Sequence, residues 1–177
     1  MYIWVGIDVD GQLSDVRECA AAVEGRIGAE HSCYTLPMHV SLKMSFPMGE
    51  DMAVAVIGDL ERYFERQKPF TIHVKGVECE GPIVWIRMER SKELDLLHDK
   101  LNAMLLERYG VALHEYDTDY KFHTTLYMGS DEGRVRSAYE SLATLALPKA
   151  LTASRFVIGT SESGALGTYS VIKTVCI

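Results

Sequence analysis

No stretch of this 177-residue chain approaches the roughly 18 uninterrupted apolar residues that a membrane-crossing helix requires. The opening run MYIWVGIDVDG carries no basic leader ahead of Asp8, so it reads neither as a signal peptide nor as a span. Positive charge is scarce: 18 Lys and Arg stand against 25 Asp and Glu, a formal charge of -7. That balance excludes a broad basic surface for long-duplex nucleic acid, but leaves room for a small anionic ligand held by local donors. Cysteine is sparse as well, and Cys19, Cys33, Cys79 and Cys176 form no CxxC pair. Neither a zinc knuckle nor a redox motif is signalled, and reduced, mostly buried thiols are expected. No linker or low-complexity segment divides the chain. The expectation is a cytoplasmic monomer without membrane partners, built as one bilobal domain over residues 1–177.

Periodicity supplies the elements. The β-branched and aromatic run at 2–9 ends at Asp10-Gly11 and predicts a strand. A helix capped by Ser14 and closed by Gly28 follows, with Val16, Cys19, Val23 and Ile27 on its inner face. Residues 39–46 form a strand, and a helix over about Asp51 to Gln67 turns Met52, Val56, Leu60, Tyr63 and Phe64 inward. Two strands within 70–89 are joined at Glu80-Gly81-Pro82. Ser91 caps a third helix with the stripe Leu94, Leu97, Leu101 and Leu105, ended by Gly110. The polar stretch HEYDTDYK is a loop, residues 122–129 a strand, and Val135, Ala138, Leu142 and Leu145 mark a fourth helix before two closing strands. This order predicts an α+β fold: a duplicated β-α-β-α-β bilobal design, its two mostly antiparallel sheets facing a central cleft with helices outside.

Within that order a pattern recurs. HVSL at 39–42 and HTTL at 123–126 each place a hydroxyl two residues after a histidine and leucine one further, in a chain with six histidines. From composition, such a double occurrence arises by chance roughly two times in a thousand. Strand alternation sends His39, Ser41 and Lys43 to one face, and Lys121, His123, Thr125 and Tyr127 to one face of the other strand. Two imidazoles across a cleft suit in-line displacement at phosphorus, one taking a proton from the attacking oxygen and one giving a proton to the leaving oxygen. Ser41 and Thr125 then bind the non-bridging phosphate oxygens, Lys43 or Lys121 neutralises charge there, and Tyr127 forms the cleft wall. No metal or other cofactor is needed. His31, His73, His98 and His114 lack comparable neighbours and read as structural. Asp117 and Asp119 beside His114 could imitate a metal cluster, yet an acidic loop ahead of a strand is the simpler reading.

These residues resemble the two motifs of the 2H phosphoesterase superfamily, and the preceding LPM and following KMSFP look like its bacterial 2′-5′ RNA ligase and cyclic phosphodiesterase branch. The resemblance implies metal-independent action on 2′,3′-cyclic phosphate or 2′-5′ phosphodiester bonds. Its substrate would be a nucleotide with a cyclic phosphate or an RNA terminus. It implies His39 and His123 as the acid and base pair and Ser41 and Thr125 as phosphate binders. The chain departs from the family where Met38 and Phe122, rather than proline, precede the histidines, and where Ser41 replaces the commoner threonine. Neither departure removes a functional group. Two other readings stand beside this one: a non-catalytic module that binds a nucleotide or RNA end on the same fold, and a metal-dependent phosphoesterase using His114, Asp117 and Asp119.

Overall fold

The computed structural model describes residues 1–177. Its strands are β1 (Tyr2–Asp8), β2 (His39–Pro47), β3 (Phe70–Glu80), β4 (Ile83–Met88), β5 (His123–Met128), β6 (Ala150–Ala153), β7 (Arg155–Ser161) and β8 (Ser170–Cys176). Between them lie the helices α1 (Ser14–Ile27), α2 (Glu50–Glu65), α3 (Lys92–Tyr109) and α4 (Glu132–Leu142). The strands make two four-stranded antiparallel sheets, ordered β2-β1-β7-β8 and β5-β4-β3-β6. The expected α+β, two-sheet layout is the one found. The strands are nevertheless shared out differently from a cut at mid-chain: β3 joins the second sheet, and the closing pair β7 and β8 completes the first. In this arrangement β1 and β2 correspond to β4 and β5, so each sheet carries one histidine strand at its edge.

Local chemistry explains the helices. Ser91 Oγ accepts a hydrogen bond from Leu94 N at 3.2 Å, satisfying one of the free N–H groups at the start of α3. Gly110 ends α3 in the left-handed conformation, φ 67°, where a side chain would be strained. All four leucines of the expected stripe are buried, each worth about 1.5–3 kcal/mol over exposure. The expectations fail by one residue elsewhere. Ser14 lies inside α1 and caps nothing, because Leu13 occupies the cap position after a single 3-10 turn over Asp10–Gln12. Ala20 and Ala53 face inward where Cys19 and Met52 were expected, and Met52 is 40% exposed. The cysteines are free but not mostly buried: Cys19, Cys79 and Cys176 are exposed and Cys33 is half-buried, with burial pushing its thiol up to about 12.

One cluster of 37 buried apolar residues runs beneath both sheets. Phe64 of α2 stacks on Phe156 of β7 with ring centroids 4.6 Å apart, while α4 covers β3, β4 and β5 from outside. Covering those faces leaves the opposite face of each sheet for the cleft, where β2 and β5 adjoin.

Candidate active site

Both histidine strands carry the same irregularity at the same place. In the first sheet His39, Val40 and Ser41 oppose Asp8, Ile7 and Gly6, after which Lys43 rather than Leu42 opposes Val5. In the second, His123, Thr124 and Thr125 oppose Arg87, Ile86 and Trp85, after which Tyr127 rather than Leu126 opposes Val84. Each motif leucine is thus the extra residue of a β-bulge, and the side chain that follows it changes face. Simple alternation, which put Lys43 and Tyr127 beside the histidines, breaks here. Lys43 is 2% exposed, ion-paired with Asp117 and donating to Ala112 O at 3.2 Å. Tyr127 is 1% exposed and donates its hydroxyl to Gly28 O at 2.7 Å, tying β5 to the end of α1. Lys121 keeps to the cleft margin, but its ammonium is held by both carboxylate oxygens of Glu80 at 2.5 and 2.6 Å.

The two rings are held alike. His39 Nδ1 lies 2.8 Å from Pro37 O, and His123 Nδ1 lies 2.5 Å from Lys121 O. A carbonyl can only accept, so each Nδ1 carries the proton and each Nε2 keeps a free lone pair. Tryptophans flank them: Trp4 packs on His39 with centroids 4.4 Å apart, and Trp85 on His123 at 4.2 Å. The asymmetry between these two contacts has a plain cause. In the second sheet Trp85 itself opposes Thr125; in the first, the equivalent place is Gly6, whose missing side chain lets Trp4 reach the ring from further along β1. Gly159 on β7 makes room on the other side, since an added Cβ there would overlap Trp4 Nε1. Gly159→Ala is therefore expected to cost about 1–3 kcal/mol through overpacking. It should also disturb His39, visible as a lower melting temperature together with an altered imidazole resonance.

His39, Ser41 and Thr125 line one cavity of about 230 Å³ with Trp4 and Met128, and Lys43 borders it too, its ammonium engaged by Asp117. His123 lines a second of about 580 Å³, and Met44 borders both. Burial lowers the pKa of both histidines. For His39 the Pro37 carbonyl and the Asp8 charge partly offset it. For His123 the Lys121 carbonyl offsets it, while the charges of Arg87 and of His39 itself add to it. Each histidine thus has a charged residue directly across the ladder, Asp8 for one and Arg87 for the other. Motif reading missed Asp8, Arg87, Trp4 and Trp85; the alternation of IVWIRM along β4, which turns Trp85 and Arg87 to one face, was the available signal for two of them.

The remaining candidates scatter. Asp117 is buried against Lys43, Asp119 bonds Arg90 at 3.3 Å, and His114 Nδ1 accepts from Tyr116 N at 3.3 Å. These three side chains serve separate partners rather than a shared metal. His98 is buried with Nε2 3.0 Å from Asn102 Nδ2, and its ring packs on Tyr120.

Comparison with known proteins agrees with this architecture. A putative phosphoesterase of Bacillus thuringiensis (strain Al Hakam) is 23% identical over 97 residues, covering 53% of each chain. The chain thus spans about half the length of the curated relatives it matches. Among solved structures, Escherichia coli LigT complexed with 3′-AMP superposes with a TM-score of 0.65 at 16% identity, covering 99% of this chain and 97% of that one. The protein TT0787 of Thermus thermophilus gives a TM-score of 0.64 at 16% identity, over 99% and 97%. The model of the 2′-5′ RNA ligase superfamily matches residues 8–165, both histidine motifs included, and the chain therefore belongs to that superfamily of 2H phosphoesterases.

Proposed function

We propose that the chain is a metal-independent phosphodiesterase acting on 2′,3′-cyclic phosphate or 2′-5′ phosphodiester bonds of a nucleotide or RNA end. The observation that carries this reading is the matched pair of imidazoles, each locked by its own carbonyl so that Nε2 is the free nitrogen. The adjoining cavity, where His39, Ser41 and Thr125 meet, is the place for the phosphate. Ser41 and Thr125 donate to its non-bridging oxygens. Lys43 and Lys121 take no part in this account, since Asp117 and Glu80 already hold them.

The cross-strand charges divide the labour. Asp8, opposite His39, favours the imidazolium; Arg87, opposite His123, favours the neutral ring. In hydrolysis of a cyclic phosphate, His123 Nε2 removes a proton from water as its oxygen bonds to phosphorus. The His39 imidazolium gives its proton to the departing ribose oxygen. In the ligating direction a ribose hydroxyl replaces the water. Two imidazoles supply both proton transfers, so the scheme needs no Lewis acid.

The test is hydrolysis of 2′,3′-cyclic nucleotides in the presence of a chelator. Product release that resists chelation and is lost in His39→Ala supports the enzyme; ligand affinity without turnover would leave only the binding module. A pH profile gives a second check. Because His39 titrates below the usual 6.5, kcat/KM is expected to peak on the acid side of about pH 6.5 and to fall as the acid deprotonates above it. Arg87→Met removes a charge that lowers the His123 pKa, so the acid limb of kcat/KM should move to higher pH. Asp8→Asn removes a charge that raises the His39 pKa, so the alkaline limb should move to lower pH.

A further inference from the structure

The cavity of about 580 Å³ beside His123 is of a size that suits a small organic group, within the usual range of about 300–1,000 Å³. Its aromatic lining consists of Trp85, Tyr116 and Tyr120, which offer stacking surface to a planar ring. Its polar lining is acidic: Glu80, Glu115 and Asp119 face a single cation, Lys121, which Glu80 already neutralises. A second phosphate would be repelled there. A base that presents hydrogen-bond donors would not.

Several polar groups of the cavity have no protein partner: the Glu115 carboxylate, the hydroxyls of Tyr116 and Tyr120, and Trp85 Nε1. Glu80 is bound to Lys121 and Asp119 to Arg90, whereas the Glu115 carboxylate bonds to no protein donor. The hydroxyls of Tyr34, Tyr63, Tyr109, Tyr127 and Tyr169 each donate to a protein acceptor. That of Tyr120 does not, although Tyr120 is only 6% exposed and lines the cavity. The ring is buried while its hydroxyl opens on the cavity without a protein partner, which leaves it available to a ligand. The loop that carries Glu115 is also firmly bedded. Asp117, two residues on, is buried against Lys43 and accepts from His114 N at 2.7 Å.

We propose that this cavity binds the nucleobase of the substrate and selects guanine, with Glu115 accepting its N1–H and N2–H donors, Tyr120 bonding one of its remaining polar atoms, and the aromatic rings stacking on its faces. Guanine alone offers two adjacent donors to one carboxylate. Adenine and cytosine place an acceptor nitrogen beside the amino group, and uracil flanks its N–H with two carbonyl oxygens, so each sets a lone pair against Glu115. The proposal rests on the phosphodiesterase reading for its position next to the reacting phosphate, but its recognition chemistry stands apart from turnover.

The experiment therefore reads both. Binding of guanosine, adenosine, cytidine and uridine 3′-monophosphates is compared by calorimetry, and kcat/KM is measured on the four 2′,3′-cyclic nucleotides. Guanosine 3′-monophosphate should bind about tenfold tighter than uridine 3′-monophosphate, with a matching ratio in kcat/KM. Glu115→Gln, which turns an acceptor into an amide donor, should collapse that ratio toward one with an unchanged melting temperature; Tyr120→Phe should lower it further through KM. Equal affinity for all four in the native protein, or an unaltered ratio in Glu115→Gln, overturns the base site. Selective guanosine binding without turnover of any cyclic nucleotide or of a 2′-5′-linked dinucleotide supports the base site and refutes the phosphodiesterase reading.

Discussion

Replacing either His39 or His123 by alanine is expected to lower kcat on a 2′,3′-cyclic nucleotide by roughly 10²- to 10⁴-fold, the usual worth of one general acid or base. The double replacement should be little worse than the more damaging single one, because the two rings act in one concerted transfer and their losses do not add. KM should change far less than kcat, since Ser41 and Thr125 still meet the phosphate. Stability should hold in both variants: each imidazole bonds only the backbone two residues ahead of it and is half-buried. Kinetics on the purified variants, alongside their melting curves, decide the matter. Retention of full activity by either variant would remove the proton-transfer account altogether.

The largest loss of stability is expected from Lys43→Met. That change leaves Asp117, whose side chain is fully buried, with only the His114 N–H and the His98 ring, 3.5 Å away, to answer its charge. Breaking a buried pair by removing one partner costs about 3–5 kcal/mol, which for a chain of this size corresponds to a melting temperature lower by roughly 10 °C. Adding Asp117→Leu to Lys43→Met should restore much of the loss, because two apolar side chains then replace two charges. Lys121→Met is the control. Its pair with Glu80 is 40% and 54% exposed, so it should shift stability by less than about 1 kcal/mol. A melting temperature for Lys43→Met equal to that of the control would show that the buried pair contributes nothing.

Lys43 and Tyr127 mark where sequence reading stops. Strand alternation places each on the face of the histidine four positions before it. Up to the motif leucine that argument works: Ser41 and Thr125 line a cavity with His39, and Val40 and Thr124 are buried behind. Past it, a single inserted residue reverses the parity, and nothing in the letters HVSLKM or HTTLYM announces a bulge. The burial of Asp117 within the acidic loop is illegible for a related reason. Asp117 is charged and flanked by polar residues, yet its partner Lys43 is 74 positions away in sequence. Helix stripes were legible because their spacing is local, as the four leucines of α3 show, while the slips at Cys19 and Met52 are one-residue rotations that small alanines could absorb. The tryptophans were invisible as site residues. Trp4 gains its place only through what Gly6 and Gly159 omit, and an omission on a neighbouring strand has no periodicity to detect.

The way the strands are dealt out between the sheets also bears on how the protein assembles. The second sheet is drawn from one continuous stretch, residues 70–153, and every strand it needs lies close by along the chain. The first sheet begins with β1 and β2 but must wait for residues 155–161 and 170–176. In the growing chain β1 can pair with β2 early but must wait for β7 on its other side. The half bearing His123 can close while β1 still has one side unpaired, and contacts of such long sequence separation form late. Nascent β1, a strongly apolar strand, spends that interval with an open edge, which makes it a segment for a chaperone to shield.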